Sequence, residues 1–264
     1  MIEPEFTVLS GTPIAWRFTG SVDGPVFVFL PGYKSDMSGS KATALFDHCH
    51  ARGQACLLLD YSGCGQSGGV FANGTLSRWR DEVCALVDVV CPGRELILVG
   101  SSMGGWLMLL IALELGQRVR GLVGIAAAPD FTHWGFNPSQ KALLRTGAVL
   151  YEHSDYGPEP TPTYPGFWSD GNAQRVLRKE IPIDCPVILL QGQMDPDVPW
   201  DMALKLGQRL RSSRVQTILI KDGDHRLSRE EDIALLLRAC DDVLAQTSHD
   251  SRVPVLQGTE LIQA

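Results

Sequence analysis

Gly100-Ser101-Ser102-Met103-Gly104 stands between two apolar runs, Glu95-Leu96-Ile97-Leu98-Val99 before it and Trp106-Leu107-Met108-Leu109-Leu110-Ile111-Ala112-Leu113 after it. The first run has the length of a short buried strand, and the second is long and smooth enough for a packed helix. The pentapeptide is therefore a strand-to-helix turn with a serine at its centre, the G-x-S-x-G elbow. Such a turn forces the serine into a strained backbone conformation, while the small residues Gly100 and Gly104 let strand and helix approach without a clash. The Ser102 hydroxyl is expected to stand out at the carboxyl edge of a sheet.

Outward from the elbow the chain alternates strands and helices. Phe6-Thr7-Val8-Leu9 and Ile14-Ala15-Trp16-Arg17-Phe18 flank Ser10-Gly11-Thr12-Pro13, which predicts an opening antiparallel hairpin. Val26-Phe27-Val28-Phe29-Leu30 is continuously apolar, as a strand covered on both faces should be. A helix is expected from about Lys41 to Arg52, a strand at Cys56 to Asp60 and a helix from Leu76 to Val90. Past the elbow, strands are expected at Leu122 to Ala127, Val187 to Leu190 and Val215 to Ile220, and a closing helix from about Arg229 to Leu244. This alternation implies an α/β fold with a doubly wound, mostly parallel sheet. The polar, aperiodic stretch 248–264 reads as a loose C-terminal tail.

One interval breaks the pattern. Between Ala128 and Asp184 fall eight of the chain's twenty aromatic residues: Phe131, Trp134, Phe136, Tyr151, Tyr156, Tyr164, Phe167 and Trp168. Pro158, Pro160, Pro162 and Pro165 argue for extended loop there rather than regular helix, with helical patterns at about Ser139 to Val149 and Gly171 to Lys179. The expected organisation is a core of 1–128 and 185–247 with a cap inserted at 129–184. Collectively the aromatics predict an apolar cleft over Ser102, with Trp134, Phe136, Phe167, Trp168 and Val198 as candidate substrate contacts.

Composition narrows the partners. The 264 residues carry a formal charge of -7, which disfavours nucleic acid or an anionic membrane. No apolar stretch approaches the roughly 20 residues that span a bilayer. Met1-Ile2-Glu3-Pro4-Glu5 is acidic where a targeting peptide would be basic, and seven cysteines without metal-ligand or C-x-x-C spacing read as structural thiols in a reducing compartment. A cytoplasmic protein without metal or organic cofactor is expected. His48 and His50 around Cys49 read as a solvated helix face rather than a metal site.

A serine hydroxyl needs a base, and the base needs an orienting carboxylate. Gln191-Gly192-Gln193-Met194-Asp195-Pro196-Asp197-Val198-Pro199 follows one predicted strand and Gly223-Asp224-His225 follows another. Both lie just past carboxyl ends of strands, where open α/β sheets collect site residues. Four segments then resemble those of α/β-hydrolase fold serine hydrolases: Leu30-Pro31-Gly32-Tyr33-Lys34-Ser35-Asp36-Met37, Asp60-Tyr61-Ser62-Gly63, the elbow through Met108, and Asp195 to Trp200 with Asp224-His225-Arg226. The chain is similar over nearly its whole length to the abhydrolase-domain palmitoyl-protein thioesterase and acyl-glucuronide esterase subgroup and its bacterial relatives.

The resemblance implies hydrolysis of small-molecule carboxylic esters or thioesters through an acyl-enzyme. It assigns Ser102 as nucleophile, His225 as base and Asp195 as orienting acid, with Asp197 and Asp130 as rivals for the last role. It also places the oxyanion hole at the backbone amides of Met103 and Tyr33, although Pro31-Gly32 stands where many relatives have His-Gly. Amide or carbon-carbon bond hydrolysis on the same residues, and ligand binding without turnover, are the alternatives. Gly63-Cys64-Gly65-Gln66-Ser67-Gly68-Gly69 has glycines reminiscent of a nucleotide loop, but Val70 to Gly74 extends the loop before any helix starts, so no phosphate site is expected.

Overall fold

A computed structural model describes residues 2–21, 23–153 and 159–250. The chain opens with β1 (Glu5–Leu9) and β2 (Thr12–Thr19), antiparallel in the register Leu9↔Thr12. The turn is tighter than the four residues that separate the apolar runs. Ser10 and Gly11 both have positive φ, 48° and 80°, the two-residue arrangement whose twist matches that of a hairpin.

Then come β3 (Val26–Leu30), α1 (Ser40–Ala51), β4 (Cys56–Leu59), α2 (Leu76–Val90), β5 (Leu96–Ser101), α3 (Met103–Leu115) and β6 (Val119–Ile125). The sheet closes with β9 (Val187–Gly192), α7 (Asp201–Arg209), β10 (Val215–Ile220) and α8 (Glu230–Asp250). Its order is β1-β2-β4-β3-β5-β6-β9-β10, with β1 and β2 antiparallel to their neighbours and the rest parallel. From β3 the chain winds outward to β4, then returns to place β5 on the other side of β3. That reversal is where open α/β sheets form a crevice at their carboxyl ends.

Strand β3 shows how the layers are built. Val26, Val28 and Leu30 face the cluster containing α2, α3 and α7, whereas Phe27 and Phe29 face that containing α1 and α8. The two-residue period of a strand thus feeds two cores from a continuously apolar run. Helix α3 is buried all along Met103 to Ala112, which accounts for its lack of a polar face.

Several boundaries differ from expectation. Strand β6 starts at Val119 and ends at Ile125, because Ala126 turns to φ 45° and takes the chain off the sheet. Strand β9 runs on to Gly192. Helix α8 continues to Asp250, so Ser248 to Asp250, read as tail, are helical; the rest of the expected tail, 251–264, lies outside the described residues.

Between β6 and β9 lie α4 (Phe131–Trp134), α5 (Pro138–Arg145), the antiparallel pair β7 (Leu150–Glu152) and β8 (Thr161–Thr163), and α6 (Pro165–Ala173). Helix α5 stops short of Val149, as Gly147 takes φ 88°. The helix expected at Gly171 to Lys179 is instead α6, shifted toward the N-terminus. Pro165 occupies its first turn, where a missing amide costs nothing. At its far end, the Asp130 carboxylate accepts the amides of Val176 at 2.8 Å and Leu177 at 3.1 Å, drawing the chain out of helical geometry. Pro165, expected to exclude helix, therefore opens one. Tyr156 and Pro158 lie outside the described residues.

Candidate active site

The elbow is built by close backbone approach. Ser102 joins β5 to α3 at φ 54° and ψ -117°, a conformation costing on the order of 1–3 kcal/mol that neighbours must over-determine. Its amide donates to the Ile125 carbonyl at 2.9 Å, and its carbonyl accepts Gly105 and Ala128 amides at 2.9 and 3.1 Å. A Cβ at Gly104 would lie 2.0 Å from the Leu30 carbonyl oxygen, and one at Gly100 2.3 Å from that of Gly104. No side chain fits at either position, so the two glycines of the pentapeptide are steric necessities.

His225 lies between Ser102 and Asp195. Its Nε2 is 3.1 Å from Ser102 Oγ and its Nδ1 2.9 Å from Asp195 Oδ2. Asp195 Oδ1 accepts the amides of Asp197 and Val198, each at 2.8 Å, and Oδ2 accepts Gln191 Nε2 at 2.9 Å. Burial alone would raise the proton affinity of this carboxyl. The bond to His225 and those two amides outweigh it and hold Asp195 below the usual carboxylate range.

The rival acids sit differently. Asp197 is exposed, gives its amide to Asp195 and has a carboxylate oxygen within 4.8 Å of the His225 and Asp195 ligand atoms. Asp130 is buried and committed to the Val176 and Leu177 amides, with Arg175 3.7 Å away.

The loop after β3 reaches the elbow from the other side. A Cβ at Gly32 would lie 3.4 Å from Ser102 Cβ, which brings the Gly32-Tyr33 main chain alongside the serine. Met103 is the first residue of α3, and the first amides of a helix lack intrahelical partners. The Tyr33 ring packs on Phe71 and Phe167 with centroids 5.0 and 4.7 Å away, and its hydroxyl donates to the Pro162 carbonyl of β8 at 2.9 Å. Burial pushes the Tyr33 phenol well above its ordinary range. The same loop is anchored by Asp60, whose Oδ1 accepts the Met37 amide at 2.7 Å and whose Oδ2 accepts that of Gln66 at 2.8 Å.

Ser102, Met103, Tyr33 and His225 open onto a cavity of about 650 Å³, a size usual for a small-ligand site. Of the candidate substrate contacts, Trp134, Phe136 and Val198 line it. Phe167 and Trp168 do not. Phe167 is 1% exposed, wedged against Tyr33, Trp79 and Phe131, while Trp168 donates its indole N–H to the Thr132 carbonyl at 3.0 Å and lies under Arg145. Phe167 packs the β6–β9 segment against the core, whereas Trp168 packs within that segment. Nor is the wall uniformly apolar: Lys34, Asp36, Lys41, Glu152 and Arg226 share it.

Two residues near the site belong to none of the four motif segments that the sequence offers. Gln191 is a buried polar residue in an otherwise apolar strand, and that oddity is the available clue. Lys41 marks only a helix start in the sequence, yet its ammonium reaches the turn after His225. Elsewhere, His48 pairs with Asp241 at 3.0 Å and His50 with Thr19 at 2.6 Å, so the two histidines serve separate contacts. In the glycine-rich loop, Ser67 Oγ accepts the Ala15 amide at 2.8 Å and donates to the Asp60 carbonyl at 2.7 Å, tying the loop to β2. All seven cysteines are free thiols, and no helix among the described residues is long and apolar enough to cross a membrane.

Comparison with known proteins sets this geometry in a family. Residues 24–165 match the profile of the serine aminopeptidase, S33 family. A human mitochondrial palmitoyl-protein thioesterase, ABHD10, is 37% identical over 228 residues, covering 85% of this chain and 74% of the relative. Among solved structures, a putative hydrolase from Agrobacterium vitis S4 superposes with a TM-score of 0.85 at 39% identity, covering 92% of this chain and 99% of the other. The mouse alpha/beta hydrolase domain-containing protein 10 also gives 0.85, at 34% identity, with 92% and 98% covered.

Proposed function

We propose, from the premise that this chain belongs to the serine aminopeptidase, S33 family of α/β-hydrolase fold serine hydrolases, that it cleaves carboxylic esters or thioesters through an acyl-enzyme on Ser102. The observation that carries the reading is the position of His225, within hydrogen-bond reach of Ser102 Oγ on one side and Asp195 on the other.

Ser102 Oγ attacks the acyl carbonyl while His225 Nε2 takes its proton, and Asp195 holds the imidazole tautomer and stabilises the imidazolium. The amides of Met103 and Tyr33 receive the developing oxyanion, each such donor being worth about a hundred- to a thousandfold in rate. His225 returns the proton to the departing alcohol or thiol. Water, deprotonated by the same imidazole, then releases the acid and restores Ser102. The apparatus requires neither metal nor organic cofactor.

Residues 129–184 act as the cap and 1–128 with 185–247 as the hydrolase core, the cap supplying Trp134 and Phe136 and the core Val198 to the acyl side. A thioester substrate is favoured by the palmitoyl-protein thioesterase relatives. Seven free thiols suit a reducing compartment, and the cytoplasm is the location we assign.

The test is a fluorophosphonate probe applied with a panel of aryl esters, acyl thioesters and anilides. Ser102 should be the labelled residue, and Ser102→Ala should lose both labelling and turnover. Unchanged turnover in that variant would overturn the reading, and hydrolysis of the anilides alone would replace ester cleavage by amide cleavage.

A further inference from the structure

The turn that carries His225 is tight, and its two ends are held by different means. On the upstream side the hold is main chain: Gly223 accepts the Met194 amide at 2.9 Å, and a Cβ at Gly192 would lie 2.2 Å from the Gly223 carbonyl oxygen. On the downstream side Leu227 sits at φ 43°, buries its side chain and donates its amide to Asp224 Oδ1 at 2.9 Å. A leucine in that conformation needs neighbours to keep it there.

One of those neighbours comes from a distant element. Lys41, in the first turn of α1, donates its ammonium to the Arg226 carbonyl and, at 3.3 Å, to Ser228 Oγ. It thereby grips both residues that flank Leu227, immediately after His225. Lys41 also lines the cavity onto which Ser102 and His225 open.

We infer that Lys41 is a positioning residue for His225, its ammonium clamping 226–228 through the Arg226 carbonyl and the Ser228 hydroxyl so that the imidazole stays aligned between Ser102 and Asp195. The inference rests on the reading of His225 as general base.

The charged groups facing Lys41 are the Arg226 guanidinium and the Asp224 and Asp232 carboxylates. Burial, and next the Arg226 charge, bring the lysine down to about 8 against the opposing pull of the two carboxylates. The clamping form is the ammonium. It is present below that value and lost as pH rises through it. A charge-assisted hydrogen bond is roughly twice as strong as a neutral one, so deprotonation loosens the clamp while the main-chain hold on the upstream side persists.

The experiment measures fluorophosphonate inactivation and turnover of a short aryl ester from about pH 6 to about pH 10, bracketing the lysine's titration. The parent protein should lose rate about fivefold along an alkaline limb centred near the Lys41 value, an amount in keeping with weakening one such bond. Lys41→Met should start from the lowered level, with kcat falling more than KM rises, and show no limb. Lys41→Arg, charged throughout, should restore part of the rate lost in Lys41→Met and also lack the limb. An alkaline limb of the same midpoint in both variants, or full parental rate in Lys41→Met, would overturn the inference. If calorimetry shows Lys41→Met unfolded, the Lys41→Arg profile decides: an unchanged limb overturns it and a missing limb supports it. Absence of Ser102 labelling in the parent protein would instead overturn the acyl-enzyme reading, and this inference with it.

Discussion

Ser102 holds its strained backbone because its amide and carbonyl are both engaged, so the side chain is the part left to do chemistry. Asp195 illustrates the same economy, with His225 and the amides of Asp197 and Val198 keeping a buried carboxyl ionised. Because its folded proton affinity is depressed, Asp195 contributes stability that is present above the ordinary carboxylate range and lost as pH falls through its folded value. Asp195→Asn should therefore flatten the acid limb of a thermal stability profile while lowering kcat by about 10³- to 10⁴-fold. Asp130→Asn should behave in the opposite way. It keeps Ser102 labelling and loses about 1–3 kcal/mol of stability, as one acceptor of two buried amides is weakened. Parallel calorimetry and probe labelling separate the two carboxylates. Strand-end position alone does not separate the two, and it is motif register that favours Asp195 in the sequence; the fold shows that one faces an imidazole and the other a pair of amides.

Among the elements, β3, α2 and β10 have the bounds that their apolar patterns predict, since continuous or period-matched runs have little freedom to slide. Helix α6 was misplaced because its limits come from Pro165 and from a carboxylate more than forty residues earlier in sequence. Lys41 escaped for a similar reason: its partners lie 185 and 187 residues away. The loop after β3 is tied to β8 through Tyr33 Oη and the Pro162 carbonyl. Tyr33→Phe removes that tie without disturbing the ring packing. Hydrogen exchange should show faster opening of 161–163 with the central strands unchanged, and the melting point should fall by the equivalent of about 1 kcal/mol.

For the whole molecule, the proposed chemistry and the proposed selectivity fall in different layers. The serine, imidazole and carboxylate hang from the carboxyl ends of β5, β10 and β9, whereas Trp134 and Phe136 enter the cavity from the segment between β6 and β9. Trp134→Ala should leave the fluorophosphonate rate nearly intact while changing the ratio of kcat/KM for long and short acyl chains by roughly tenfold, the scale of a methylene or two in an apolar pocket. A panel of aryl esters of graded chain length reads this directly. The pairing of β3 with β5, which aligns Leu30 with Gly100, has a further consequence. Neighbouring strands in a sheet stand about 4.8 Å apart, so it is main-chain pairing, rather than side-chain choice, that brings the loop after β3 beside the elbow. Because the segment between β6 and β9 contributes no strand to that pairing, its length and sequence can vary while Leu30 and Gly100 stay side by side.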